Sequence, residues 1–180
     1  MAGIRHLLQS AKSDGVDDTL VRPSDWNDDH DLPSGSVVQV VVANSTTRFD
    51  TTSTSLQDTG LQATITPKYD DSILLVRVSG TFGAQRTSGS LGTRYAFVAI
   101  YNSTDAVLLL EHERGRTLVG TNTNTATSFM GIDAEAPYTV DSTAARTFKF
   151  QIRTNSTDLN AIMLADRTGG VTMTITEIRA

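Results

Sequence analysis

The chain of 180 residues has no cysteine, which excludes disulfides, thiolate nucleophiles and thiolate metal sites and leaves the redox compartment open. Long apolar runs are also missing. None approaches the ~20 residues of a membrane-spanning helix, and "MAGIRHLLQSAKSDG" carries no apolar signal-peptide core. Neither membrane insertion nor secretion by that route is expected. Positive charge is not in excess: 15 Lys and Arg face 20 Asp and Glu, for a net charge of −5. That balance argues against a sequence-blind grip on nucleic-acid phosphates and against anionic membrane surfaces. Aromatic residues are scarce at 6%, with one tryptophan, Trp26. What remains is 38% hydrophobic, enough for one domain with a core and short for two.

Two textures divide the chain. Residues 1–35 form an arm with little core of its own. Ile4, Leu7, Leu8 and Ala11 sit at helical spacing and allow a short amphipathic helix, marginal unless it packs on something. Asp14-Gly15 marks a turn, and Pro23 and Pro33 bias Arg22 and Leu32 towards extended backbone. Residues 36–180 read as short strands between polar turns. The expected strands are 36–43, 61–66, 73–80, 94–101, 106–111, 147–154 and 171–178. "TFKFQIRT" is the cleanest, with Phe148, Phe150 and Ile152 on one face and Lys149, Gln151 and Arg153 on the other. Val171, Met173 and Ile175 alternate with threonines in the last strand, and 94–101 is apolar on both faces, as a central strand should be. Period-2 alternation in β-branched segments predicts an all-β, antiparallel sandwich after residue 35. The aliphatic run at 106–111 and the doubly apolar 94–101 fit burial against identical neighbours, and fit a two-sided core strand equally well.

The chemical candidates are few. "NDDHD", Asn27–Asp31, has the residue types of a metal site, but consecutive residues on an extended chain point to opposite sides, so no metal is assigned. Glu111, His112 and Glu113 resemble an acid/base cluster, yet the alternation of a strand separates His112 from both glutamates. Asp133 and Glu135 are the nearest thing to paired carboxylates. No G-x-S-x-G, H-E-x-x-H or P-loop occurs, so neither an enzyme nor a cofactor is expected. Asn-Ser-Thr at Asn44, Asn102 and Asn155 matches the glycosylation sequon, and each follows a strand-like run where Asn and Ser make turns. The small polar stretches 87–92 and 121–128 read as loops open to contact, with Arg86, Ser88, Ser90, Asn122 and Asn124 as candidate surface residues. Trp26, in a segment without a core, needs a pocket: a partner's, or one on its own domain.

At this point "GIRHLLQSAKSDGVDDTLVRPSDWNDDHDLPSG" resembles a recurrent N-terminal module of tailed-bacteriophage structural proteins. The match runs through Arg5, His6, Asp14, Gly15, Arg22, Pro23, Ser24, Asp25, Trp26, Asn27 and His30. The remainder is similar to a β-sandwich domain of phage fibre and tail-appendage proteins, through 51–80, "FKFQIRT" and "VTMTITEI". The resemblance implies a virion protein assembled in the host cytoplasm, with the anchoring residues Arg22, Pro23, Ser24, Asp25, Trp26, Asn27 and His30 docking on other virion proteins. It implies a jelly-roll-like head, typically a homotrimer, facing a host-surface glycan or protein. Whether the arm meets tail, neck or capsid stays open. The chain departs from long fibres in having no heptad stalk or repeated shaft, which leaves room for a capsid-decorating role.

Overall fold

Ten antiparallel strands, and no helix, make up the described residues of the computed structural model, which are 32–86, 94–117, 127–164 and 170–180. Residues 1–31, with the short helix expected there, lie outside them. The strands are β1 (Val37–Ser45), β2 (Phe49–Thr51), β3 (Gln57–Ile65), β4 (Ile73–Arg86), β5 (Arg94–Asn102), β6 (Val107–Thr117), β7 (Thr127–Thr139), β8 (Arg146–Thr154), β9 (Leu159–Met163) and β10 (Val171–Ile178).

Their pairing is nested. β5 pairs with β6, β4 with β7, β3 with β8, and β1 with β10, as if one long hairpin of strands had been folded about the β5–β6 turn. Rolling that hairpin brings β10 against β4 and β8 against β5. Two four-stranded arrays result, β1-β10-β4-β7 and β3-β8-β5-β6. This is the strand order of a jelly roll, the double-sheet solution to burying one face of each sheet. The short pair β9–β2 adds to the first sheet, since the far half of β4, Phe82–Arg86, pairs with β9 on the side where its near half pairs with β10.

The expected core residues fill the space between the sheets. Leu74, Val76 and Val78 of β4, Phe148, Phe150 and Ile152 of β8, and Val171, Met173 and Ile175 of β10 are fully buried. As expected, β5 is central, lying between β8 and β6. Three strands were not anticipated. β7 holds Gly131 and Pro137, which read as breakers, but it is an edge strand, where a missing N–H costs no ladder bond. β2 and β9 are only three and five residues long. β3 begins four residues early because it runs through a bulge between Asp58 and Gln62, with Gly60 in the left-handed region (φ 86°).

Among the described residues, one charged side chain is completely buried. Glu177 continues the inward face of β10 and is completely buried. Its carboxylate accepts the backbone N–H of Lys68 (2.7 Å) and Tyr69 (3.2 Å) and the hydroxyl of Ser72 (2.7 Å), and also bonds Gln39 Nε2. It therefore closes the β3–β4 turn onto the end of β10. Glu177→Ala strands those donors, and each buried unsatisfied group costs about 1–3 kcal/mol. A loss of roughly 3 kcal/mol or more in urea unfolding is expected, against near-neutral behaviour for Thr174→Ala on the outer face of the same strand.

Candidate functional site

The rolled hairpin gives the domain two unlike ends. At one end lie Ser36, the end of β10, the β3–β4 turn, the β5–β6 turn and the β7–β8 turn. Among the described residues the first backbone bonds are made there: Gly35 N–H donates to Arg179 O (2.7 Å) and Arg179 N–H to Ser36 O (3.0 Å). The strand ends that flank 87–93 and 118–126 lie at the other end. The 14 residues of β4 separate the two ends by roughly 45 Å at about 3.3 Å per residue. Arg22, Pro23, Ser24, Asp25, Trp26, Asn27, His30 and the "NDDHD" cluster lie outside the described residues, as do Ser88, Ser90, Asn122 and Asn124. Arg86 closes β4 at the far end and is 5% exposed, so it sits in the strand and not in the loop after it.

The end that carries Ser36 and the β5–β6 turn is held by a polar cluster. Asn102 is buried, and its Oδ1 accepts the N–H of Thr104 (3.0 Å) and Asp105 (3.2 Å), which makes the turn that the Asn-Ser-Thr reading anticipated. Asp105 accepts from Asn102 Nδ2 (2.8 Å) and the Tyr138 hydroxyl (2.6 Å), and Arg146 Nε lies 2.8 Å away as an ion pair. The Tyr138 hydroxyl, then Asn102 and Arg146, hold the Asp105 carboxyl below its ordinary value against the upward push of burial, and the same bond pushes Tyr138 up. Burial works against the charge on Arg146, but Tyr138, Asp105 and Asp141 outweigh it and raise its pKa.

The outer face of β3-β8-β5-β6 carries the outward residues of "TFKFQIRT". Lys149 and Gln151 both reach Asp58, and although burial pushes Asp58 up, those two bonds bring its carboxyl below the usual range. Arg153 pairs with Glu111 while its guanidinium lies 4.1 Å above the Phe97 ring. Glu111 is thus engaged by an arginine, and His112, in register with Val98, is on the opposite side of its strand. Asp133 and Glu135 do not face each other across a cleft. They share the flat outer face of β7, where Arg77 of β4 donates to both oxygens of Asp133 at 2.6 and 2.7 Å. Among the described residues no three His, Asp or Glu side chains gather as metal ligands, and no described helix is long and apolar enough to cross a membrane.

Apolar side chains remain uncovered at both edges. Val40 (53% exposed) and Val42 (61%) point outward from β1, Val107 and Leu108 project from β6, and Phe129 (54%) and Met130 (36%) from β7. Phe129 escaped the sequence reading because β7 did. The alternation of Phe129, Gly131, Asp133 and Glu135 with Met130, Ile132, Ala134 and Ala136 is nonetheless visible once Pro137 is allowed at an edge.

No family model matches the chain, and no curated protein matches it in sequence. Solved structures with some likeness come from infectious bursal disease virus. The Gx strain structure gives a TM-score of 0.36 at 14% identity, covering 94% of this chain and 41% of that one. The T13 viral particle of the same virus gives 0.34 at 14%, with 94% and 40% covered. The VP2 subviral particle gives 0.30 at 13%, with 94% and 42%. This chain spans about two fifths of the length of those chains, and the fold assignment rests on the strand pairing above.

The cluster around Asp105 makes a pH test. Because Asp105 is depressed in the folded state, its stabilisation is full above the unfolded carboxyl value of about 3.9 and is lost as pH falls through the folded value. Tyr138→Phe removes the bond that contributes most. The variant should be less stable than wild type at pH 6, and the two should converge as pH approaches 2 in chemical unfolding followed across that range.

Proposed function

We propose that the chain is a virion structural protein of a tailed bacteriophage, a short trimeric tail or neck appendage. In this reading residues 1–35 dock on the particle, and the jelly-roll head, 36–180, meets the host surface. The observation that carries it is the polarity of the head. The segment with the Pro-Ser-Asp-Trp-Asn module, Pro23 to Asn27, joins the sandwich at one end, and the strand ends flanking 87–93 and 118–126 are at the other. A protein fixed at one end and offering loops at the other has the layout of an appendage.

Trimer formation is supported by apolar residues on both edges, Val40 and Val42 on one and Val107 and Leu108 on the other. A head-to-tail contact uses two different patches and closes into a ring when the rotation permits. Three linked heads raise a weak single-site affinity. Capsid decoration is the second reading, favoured by a head that reaches only about 45 Å along β4.

Full-length protein and a form starting at Ser36 are to be offered separately to host cells and to particles stripped of this protein. The appendage reading expects both forms on cells and only the full-length form on particles, with Trp26→Ala weakening particle attachment by about tenfold or more, the loss of a buried aromatic anchor. Decoration is the answer if neither form binds cells while the full-length protein coats empty capsids and raises their melting temperature.

A further inference from the structure

By composition Pro33-Ser34-Gly35-Ser36 reads as a linker, yet the structure ties its backbone down. Pro33 O accepts the N–H of Ser36 (3.1 Å), which closes a four-residue turn, and Gly35, its third residue, has φ 84°. Those are the bond and the left-handed third residue of a type II turn, a place where glycine meets no steric penalty. The same glycine opens a bulge. Gly35 N–H donates to the Arg179 carbonyl (2.7 Å), and Arg179 N–H donates to Ser36 O (3.0 Å). Two residues thus oppose one, the count of a bulge that starts on a left-handed glycine. Arg179 is held in turn, because its guanidinium lies 4.5 Å over the Tyr69 ring and Tyr69 N–H donates to the buried Glu177 (3.2 Å). Contacts therefore run without a break from a carboxylate in the core to Pro33. Beyond the turn, the Pro33 ring fixes φ at about −65° and biases Leu32 towards extended backbone.

We propose that this turn is a stiff joint, which sets one direction for the chain where it meets the sandwich at Leu32, and so one attitude of the sandwich on its support. The proposal rests on the reading that residues 1–35 dock on the particle. It goes beyond that reading, since a loose tether would serve docking equally well. Strand register does not call for the joint, because the β1–β10 ladder runs from Val37↔Ile178 to Ser45↔Val171 without it. Magnitude separates joint from tether. Three free residues at 33–35 would let the chain wander by roughly 10 Å, at about 5–6 Å times the square root of their number. Three backbone bonds, the locked φ of Pro33 and a left-handed glycine remove that freedom within the turn. A stiff connection raises the effective concentration of linked heads only where its geometry matches the span. Orientation, and not tether length, then governs how several heads engage together.

The full-length chain has no cysteine, so Asp31→Cys with Thr172→Cys takes two spin labels and no others. Thr172 lies about 23 Å from Arg179 by strand rise, a span that pulsed dipolar spectroscopy reads. The distance distribution is measured in this pair alone and with Gly35→Asn, Ser34→Pro or Gly35→Val added, and thermal melting checks that each sandwich is intact. One narrow peak is expected for the pair alone. Gly35→Asn should keep it, because asparagine tolerates the left-handed region. Ser34→Pro should keep it too, because proline pre-sets the second residue of such a turn. Gly35→Val, a β-branched residue at positive φ, should spread the distances towards roughly 10 Å. The proposal is overturned if the pair alone is already that broad, if Gly35→Val stays narrow, or if Ser34→Pro broadens or shifts the peak. Attachment of the unlabelled full-length protein to stripped particles is read in parallel. Its absence sinks the docking reading, whereas the distances alone decide the joint.

Discussion

β4 is the constraint on which the rest of this structure depends. It is the longest strand among the described residues, at 14 residues, and it is paired along both sides. On one side β7 follows its whole length. On the other its near half carries β10, and through it β1, while its far half carries β9 and β2. Both the end at Gly35 and Arg179 and the far rim are therefore referred to one rigid strand. Burial of Leu74, Val76, Val78, Phe82 and Ala84 fixes its register, because a slip of one residue would turn all five towards solvent.

The two outer faces that this frame presents differ in kind. That of β3-β8-β5-β6 is crossed by charges which answer one another, Lys149 to Asp58 and Arg153 to Glu111, with Arg153 also resting on Phe97. Such a face has its interactions satisfied within the chain. The face of the other sheet pairs Arg77 with Asp133 but leaves Phe129, Val40 and Val42 uncovered. Exposed aromatic and β-branched surface on a single chain points to something outside it, and Val107 and Leu108 of β6 add to it at the edge of the other sheet.

Much of the fold was legible because each long inner strand repeats apolar residues every second position, a pattern that depends only on the pleat. Phe148–Phe150–Ile152 and Val171–Met173–Ile175 announced both strand and facing. β7 was hidden because two of its inward residues are small alanines, Ala134 and Ala136, and its outward ones include Gly131 and Pro137, tolerable only once its edge position is known. Glu177 was hidden for a related reason: a carboxylate on an inward face is acceptable only when a turn from elsewhere delivers Lys68, Tyr69 and Ser72 to it. The seat of Phe129 on Gly83 depends on cross-strand register, and register between strands distant in sequence is set by packing that no local pattern records.

The nesting of the pairs also dictates an order of events during synthesis. The innermost pair, β5–β6, can close as soon as residue 117 is available, but β1 must wait for Val171–Ile178, the last of the described strands. Until then the uncharged stretch Val37–Ser45 and one side of β4 stand open, and such unpaired edges invite pairing with other chains. Closure over that sequence distance is slow in comparison with local hairpins. The nascent sandwich therefore passes through a ribosome-bound interval in which β1 has no partner of its own, and crowding by sister chains in that interval favours misassembly.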